Sequence, residues 1–547
     1  MEIDAQTLVP APQRHWQDIA ANASRSRACE ACSLRAEFFE AHRQAGYWRE
    51  LHQRARQRED ELREENEQLR AKNKELEREL FGRRSEKGRG ASPETTGSST
   101  QRRRGRGQQR GRPSPGRRNT SHLPAVEEEH ALAEDQCYCD RCGLPFEDFP
   151  GTEDSEVIEI EVRGYTRKIR RRRYRPTCQC EHLPGIITAP GPAKLIPKGR
   201  LGVSLWVEIL LDKYRFVRPT QRLLSDLRTH GVDLSLGTVT GGLKRLVPVF
   251  DPIREEIIRM NLEQLVWHAD ETRWPVFVPV EGKVGWQWKF WVFQSRSAVV
   301  FVLDPTREAR VPQTYFEGIQ HGTLIVDRYS GYKAMAQVKA GQILLAFCWA
   351  HVRRDFLGVA RDWSGHETWG LTWLDTIGEL FHLNDLRLEA PSQQFAKHDD
   401  ILRAAVQKLA ERRDEELSDP NLHPVRRKPL LSLGNHWNGL TLFVDHPEIP
   451  MDNNTSERTL RLLVCGRKQF CGSRAVWAGH LAASLFSLFA TLQLWAINPR
   501  TWLRCYLQAC AQAGGQAPPD AARWLPWNLP LCERTAMAEL PKVDDTS

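Results

Sequence analysis

The sequence predicts a mixed α/β core split by a helical insertion, with smaller domains ahead of it. Three short apolar runs, Leu265–Ala269, Trp286–Gln294 and Ala298–Leu303, follow one another as a meander, with Glu281-Gly282-Lys283 suited to a hairpin turn between the first two. Two more runs, Leu324–Val326 and Ile343–Phe347, flank a helical pattern at Tyr329–Val338. A meander followed by strand–helix alternation makes a mixed sheet. At 547 residues the chain is also too long for a single core.

Residues 258–365 hold the five predicted strands. Residues 366–445 read as mainly helical and interrupt the core. Residues 446–512 return to it through Asp452-Asn453-Asn454-Thr455-Ser456-Glu457-Arg458, which reads as the first turn of a helix, and 513–547 form a tail. The strand order implied by this layout is that of a ribonuclease H-like fold. Upstream, residues 191–257 are helical: Leu205–Tyr214, then Gln221–His230, a break at Gly231, and Ser235–Val247. Helix, glycine turn, helix fits a DNA-reading helix-turn-helix and equally fits plain helical packing.

Residues 123–190 carry Cys139-x-x-Cys142 and Cys178-x-Cys180, two pairs that can supply four thiolates to a tetrahedral structural Zn²⁺, with Cys137 a competing ligand and reduced thiols the plain alternative. Residues 83–122 are a Gly/Ser/Arg-rich flexible linker; between Arg83 and Arg118 stand twelve Arg or Lys and two acids, Glu86 and Glu94. Residues 51–82 show Leu62, Leu69 and Leu76 seven apart, with Asn66, Asn73 and Leu80 on the companion positions, a short coiled coil that favours a dimer. Residues 1–50 form an N-terminal segment whose Cys29-x-x-Cys32 has no partner pair nearby.

The formal charge is +8, concentrated in the linker and in Arg170-Arg171-Arg172-Arg173, a distribution suited to a polyanion such as double-stranded DNA. The start, Met1-Glu2-Ile3-Asp4, lacks a secretory pattern, and thirteen cysteines without one fit reduced thiols and metal ligands in a cytosolic protein. Gly479–Ile497 carries no formal charge, but His480, Ser484, Ser487, Thr491 and Gln493 interrupt it, so a buried helix is expected there and no membrane span.

Asp270 and Asp327 each end an apolar run, and Glu457 sits at a helix start. Two strand-borne carboxylates and a helix-borne one can converge on two divalent cations over a phosphodiester. Singly, each has a plainer explanation: a strand-end turn for the aspartates, a capping box with Asn454 for Glu457. Asp452, Glu271 and Asp355 are reserves.

The ordered motifs resemble the DDE transposases of the insertion sequence 66 family. They are Leu80-Phe81-Gly82-Arg83-Arg84-Ser85-Glu86-Lys87, the paired cysteines, Lys213-Tyr214, Asp270-Glu271-Thr272, Asp327-Arg328-Tyr329-Ser330-Gly331-Tyr332, Cys348-Trp349-Ala350-His351, Asn453-Asn454-Thr455-Ser456-Glu457-Arg458 and Gly466-Arg467-Lys468. The resemblance implies Mg²⁺-dependent (Mn²⁺ as a substitute) cleavage at the ends of a mobile element and strand transfer to target DNA. Asp270, Asp327 and Glu457 would hold two ions, and His351 would contact the phosphate or brace the site. It makes Arg353, Arg354, Arg458, Arg467 and Lys468 candidates for phosphate contacts beside Arg170–Arg173. It implies terminal inverted repeats as substrate, a homodimer or higher oligomer, and small accessory proteins of the element as partners. The alternative is a catalytically inactive DNA-binding repressor or structural protein on the same scaffold.

Overall fold

The computed structural model describes residues 33–81, and 123–538 apart from short stretches within 134–185 and 282–284. The chain divides into two compact units. One takes in the first 93 residues with Arg353–Glu379 and Glu415–Leu430; the other comprises Glu94–Val352, Leu380–Asp414 and Leu431–Ser547.

In the first unit a 49-residue helix, α1, spans Ser33–Phe81. It starts well upstream of the predicted coiled coil, because residues 33–50 are rich in helix formers and the same ion-pair spacing runs through both stretches. Arg43–Glu40, Arg54–Glu50, Arg58–Glu61 and Arg63–Glu59 all pair three or four residues apart. Leu62 and Leu69 are exposed on it. Also in this unit, the Phe356 and Trp373 rings stack at 4.9 Å, and Glu416 accepts from Trp369 Nε1 (2.7 Å) and Trp373 Nε1 (3.1 Å).

The second unit opens with a two-residue ladder, β1 (Arg173–Tyr174) against β2 (Ile187–Thr188). Helix α2 (Val203–Leu210) widens into a π turn at Leu211–Arg215, followed by α3 (Thr220–Thr229) and α4 (Leu236–Leu262). The third helix runs past the predicted end at Val247, through Pro248 and Pro252, because Val249, Phe250, Ile253 and Ile257 bury a continuous apolar face. Gly242 is required where Trp206 packs onto it: a Cβ there would lie 1.9 Å from the indole.

The sheet has five strands: β3 (Val266–Pro275), β4 (Gln287–Gln294), β5 (Val299–Asp304), β6 (Gly322–Val326) and β7 (Ile343–Phe347), in spatial order β5-β4-β3-β6-β7. The meander β3–β4–β5 is antiparallel, and β3, β6 and β7 are parallel. The predicted α/β order is therefore present, with one correction. Asp270 does not end its strand; β3 continues to Pro275 by pairing with β4 alone, as in Thr272↔Phe290 and Trp274↔Trp288. The Tyr329–Val338 helix is two single turns, Ser330–Lys333 and Ala336–Lys339.

The exposed edge of β5 is capped by the uncharged stretch. Helix Val476–Leu494 is long and apolar enough to cross a membrane, yet 67% of its apolar window is buried inside the protein. Its polar residues have a task there. Phe301 N–H donates to Ser487 Oγ (2.8 Å) and Val299 N–H to Thr491 Oγ1 (3.0 Å), so side chains replace the missing neighbour strand. Trp274, Phe290, Phe301 and Phe486 pack edge-to-face between helix and sheet.

Candidate active site

Strand register brings the first two acids level. His268 pairs with Ile325 across the parallel β3–β6 ladder, and two residues beyond each come Asp270 and Asp327. Asp327 immediately follows β6, where its Oδ1 accepts from Tyr329 N–H at 3.0 Å. Glu457 lies in the first turn of helix Asn454–Phe470, and its Oε1 is 3.6 Å from His351 Nε2. The three meet electrostatically at Asp270. Burial first, then the charge of Glu271, and then those of Asp327 and Glu457 push its carboxyl up to about 8.

A hydrogen-bond hub, a junction that no local sequence pattern signals, holds these elements together. Asn453 Nδ2 donates to Ala269 O (2.8 Å), next to Asp270, and Asn453 Oδ1 accepts from His268 Nδ1 (2.9 Å). With the amide so oriented, Nδ1 carries the His268 proton; burial holds that imidazole below its ordinary value and neutral. Asn453 N–H donates to Cys348 Sγ (3.1 Å), and Cys348 N–H to Val326 O (3.0 Å), next to Asp327. Trp349 N–H reaches Met451 O (2.9 Å). Burial pushes the Cys348 thiol up, so it stays a neutral acceptor. Asn453 thus touches the neighbours of Asp270 and, through Cys348, of Asp327, while it starts the Glu457 helix. The signal in the sequence was the Asn-Asn doublet four residues before the acid. The capping box with Asn454 is not formed: Asn454 N–H and Nδ2 both bond to Asp452.

Glu271 adds a further carboxylate beside Asp270 and Asp327 and has partners of its own. It forms an ion pair with Arg307, and Tyr332 Oη donates to it at 3.4 Å. The Arg307 guanidinium stacks 4.0 Å over Tyr329. Burial still raises the Glu271 carboxyl despite that cation.

The profile of the transposase IS66 family matches residues 198–481, from the first helices to beyond the Glu457 helix. The chain belongs to this family. Three uncharacterised proteins of Sinorhizobium fredii (strain NBRC 101917 / NGR234) are similar to it. They are y4jD, 26% identical over 69% of this chain and 75% of its own; y4hP, 27% over 69% and 71%; and y4qI, 26% over 76% and 78%.

Arg458 and Lys468 are exposed on the Glu457 helix, whereas Arg467 spends Nη1 on Arg273 O at 2.9 Å. Arg353 and Arg354 belong to the first compact unit, and the three acids to the second. Arg170–Arg173 are exposed, with Arg171 Nε held by Ala189 O at 2.6 Å. Cys178 and Cys180 lie outside the described residues, as do Cys29 and Cys32. Cys139 and Cys142 form a tight knuckle: Cys139 N–H bonds to Leu144 O (2.8 Å), Gly143 N–H to Cys139 O (2.9 Å), and Gly143 takes φ +71°. Backbone N–H groups of Cys142 and Arg141 pull the Cys139 thiol below its ordinary value.

Divalent metal fits the chemistry of the acids. The Asp270 carboxyl is raised first by burial and then by the neighbouring carboxylates, and a cation would offset both by favouring its ionised form. Among the described residues, no three His, Cys, Asp or Glu side chains are drawn close enough to enclose an ion, so binding requires the acids to close in.

Proposed function

We propose that this chain is an active DDE transposase that cuts DNA at the ends of a mobile element and joins those ends to target DNA. The observation that carries the reading is the convergence on Asp270 of burial and the Asp327 and Glu457 charges, on elements spread across the family match. The strand order β5-β4-β3-β6-β7, with acids on β3 and after β6, supports a ribonuclease H-like core.

Asp270, Asp327 and Glu457 would hold the two Mg²⁺ ions. Such ions supply charge stabilisation and an activated oxygen for in-line displacement at phosphorus. His351, beside Glu457, orients that carboxylate and offers a donor toward a phosphate oxygen. Asn453, His268 and Cys348 set the spacing of the three acid-bearing elements. Tyr329 N–H fixes the Asp327 rotamer.

Elsewhere, the Cys139–Cys142 knuckle supplies two ligands of a structural Zn²⁺, with Cys178 and Cys180 as the other two. Leu62 and Leu69, exposed on α1, form part of a seam for a second copy of the chain. Arg458, Lys468 and Arg170–Arg173 contact DNA phosphates, and the protein works in the cytosol.

The test is strand cleavage and joining by the purified full-length protein with Mg²⁺ on duplexes carrying the terminal inverted repeats that flank its gene. Asp270→Asn and Asp327→Asn should each abolish both steps and leave duplex binding intact. Equal cleavage by wild type and Asp270→Asn would reject the reading.

A further inference from the structure

The region ahead of the sheet contains a second surface with its own chemistry. Helix α3 ends at Thr229; the chain turns through Gly231 (φ +77°), and Ser235 caps α4, its Oγ accepting from Thr238 N–H at 3.1 Å. Leu223, Val239, Leu243 and Leu246 bury the inner faces of this pair, while the second half of α4 is locked into the core from Val249 to Asn261. The first half presents an outer face to solvent. Thr240, Gly241, Lys244 and Arg245 are exposed there, and Arg222 is exposed on α3. Arg218 and Arg228 are neutralised by Asp212, Asp226 and Asp233, but Arg222, Lys244 and Arg245 form no ion pair among the described residues.

A basic segment meets this pair at its turn. Gly164 lies so close to it that a Cβ would fall 2.5 Å from Val232 Cγ2 and 2.7 Å from His230 O. On either side of Gly164, Arg163, Arg167, Lys168, Arg170, Arg172 and Arg173 are exposed.

We infer that α4 is a recognition helix that enters the major groove of double-stranded DNA through Thr240, Gly241, Lys244 and Arg245, while the segment Arg163–Arg173, anchored at Gly164, follows the adjacent backbone. A helix with its side chains matches the width of a major groove. Lys and Arg on that face suit guanine edges, and a separate basic arm adds affinity that is indifferent to sequence. This deepens the transposase reading by naming the surface that selects the DNA, and it rests on that reading only for the biological role of the site selected.

Gly241 permits a clean test. A Cβ at this position meets nothing within 4 Å and its φ is not left-handed, so Gly241→Glu is compatible with the fold and removes a helix-interior glycine. The full-length protein is used to enrich a pool of random-sequence duplexes, and binding is then measured on the enriched duplex and on a scrambled one. Gly241→Glu should lose at least about tenfold affinity for the enriched duplex at unchanged Tm, and its preference over the scrambled duplex should collapse. Arg170→Ala with Arg172→Ala should weaken both duplexes alike and flatten the salt dependence by about two charges. If no sequence is enriched, or Gly241→Glu keeps the wild-type preference, the inference is overturned. The two readings fail separately: sequence-selective binding sensitive to Gly241→Glu, in a wild-type protein that does not cut, would sink the catalytic reading alone.

Discussion

Asn453 Oδ1 lies 2.9 Å from His268 Nδ1 although 185 residues separate them, and this bond joins the strand that carries Asp270 to the helix that carries Glu457. The same side chain donates to Ala269 O, so one amide fixes the spacing of two acids. Asn453→Ala removes both bonds but keeps the backbone N–H to Cys348. Single-turnover cleavage should fall about a hundredfold, the order expected when reacting groups shift by about an ångström, with affinity for duplex DNA unchanged. A fall in binding that parallels the fall in rate would show that Asn453 acts on the fold as a whole.

The raised Asp270 carboxyl makes metal-free stability depend on pH. In the unfolded chain an aspartate titrates near ~4; in the folded protein Asp270 holds its proton up to about 8. Between those values the folded state binds the extra proton, so stability falls as pH rises from about 4 to about 8 and levels off above. Asp270→Asn should flatten that slope in Tm profiles recorded in chelator. Mg²⁺ favours the ionised carboxylate, so its stabilising increment should grow over the same window and be much smaller in Asp270→Asn. Superimposable profiles for wild type and variant would contradict this account.

How much was legible in sequence depends on the range of the forces involved. Asp327 and the Glu457 helix start were readable because an apolar run and a helix-initiating Asp-Asn-Asn are local signals. The full length of β3 was not: Thr272 and Arg273 lack apolar character and extend the strand only because Phe290 and Lys289 pair with them. Helix α1 began earlier than the heptads indicated, since ion pairs sustain it where leucines do not. Asn453 was hidden for a different reason. Its partners, His268, Ala269 and Cys348, come from two other elements, and no local pattern reports a three-way junction.

The capping of β5 by Ser487 and Thr491 can be tested without touching the acids. Each hydroxyl satisfies a buried strand N–H, of Phe301 and Val299 respectively. Ser487→Ala and Thr491→Val leave those donors unpaired, which costs about 1–3 kcal/mol each. Urea unfolding should show both losses, and the double variant should lose more than either single one. Thr491→Val keeps volume, so a loss there isolates the hydrogen bond from packing. Wild-type stability in both would mean the edge is satisfied by other means.

Zinc binding by the Cys139–Cys142 knuckle can be tested directly. Cys139 is drawn toward its thiolate by backbone N–H groups that the Gly143 turn aims at sulfur, a preorganisation for a metal that two separate surface thiols lack. Purified protein should carry about one zinc per chain by elemental analysis. Cys139→Ser and Cys178→Ser should each remove it, whereas Cys137→Ser should not, since the Cys137 thiol faces the Ala133 carbonyl at 3.4 Å. A chelator should release the ion and sensitise residues 123–190 to protease while leaving the Tm of the sheet unit in place, because α4, β3–β5 and helix Val476–Leu494 bury a core of their own, and Ile325 of β6 and Ala346 of β7 bury a second with Ile449. Zinc retained in Cys139→Ser would exclude the knuckle as a ligand pair.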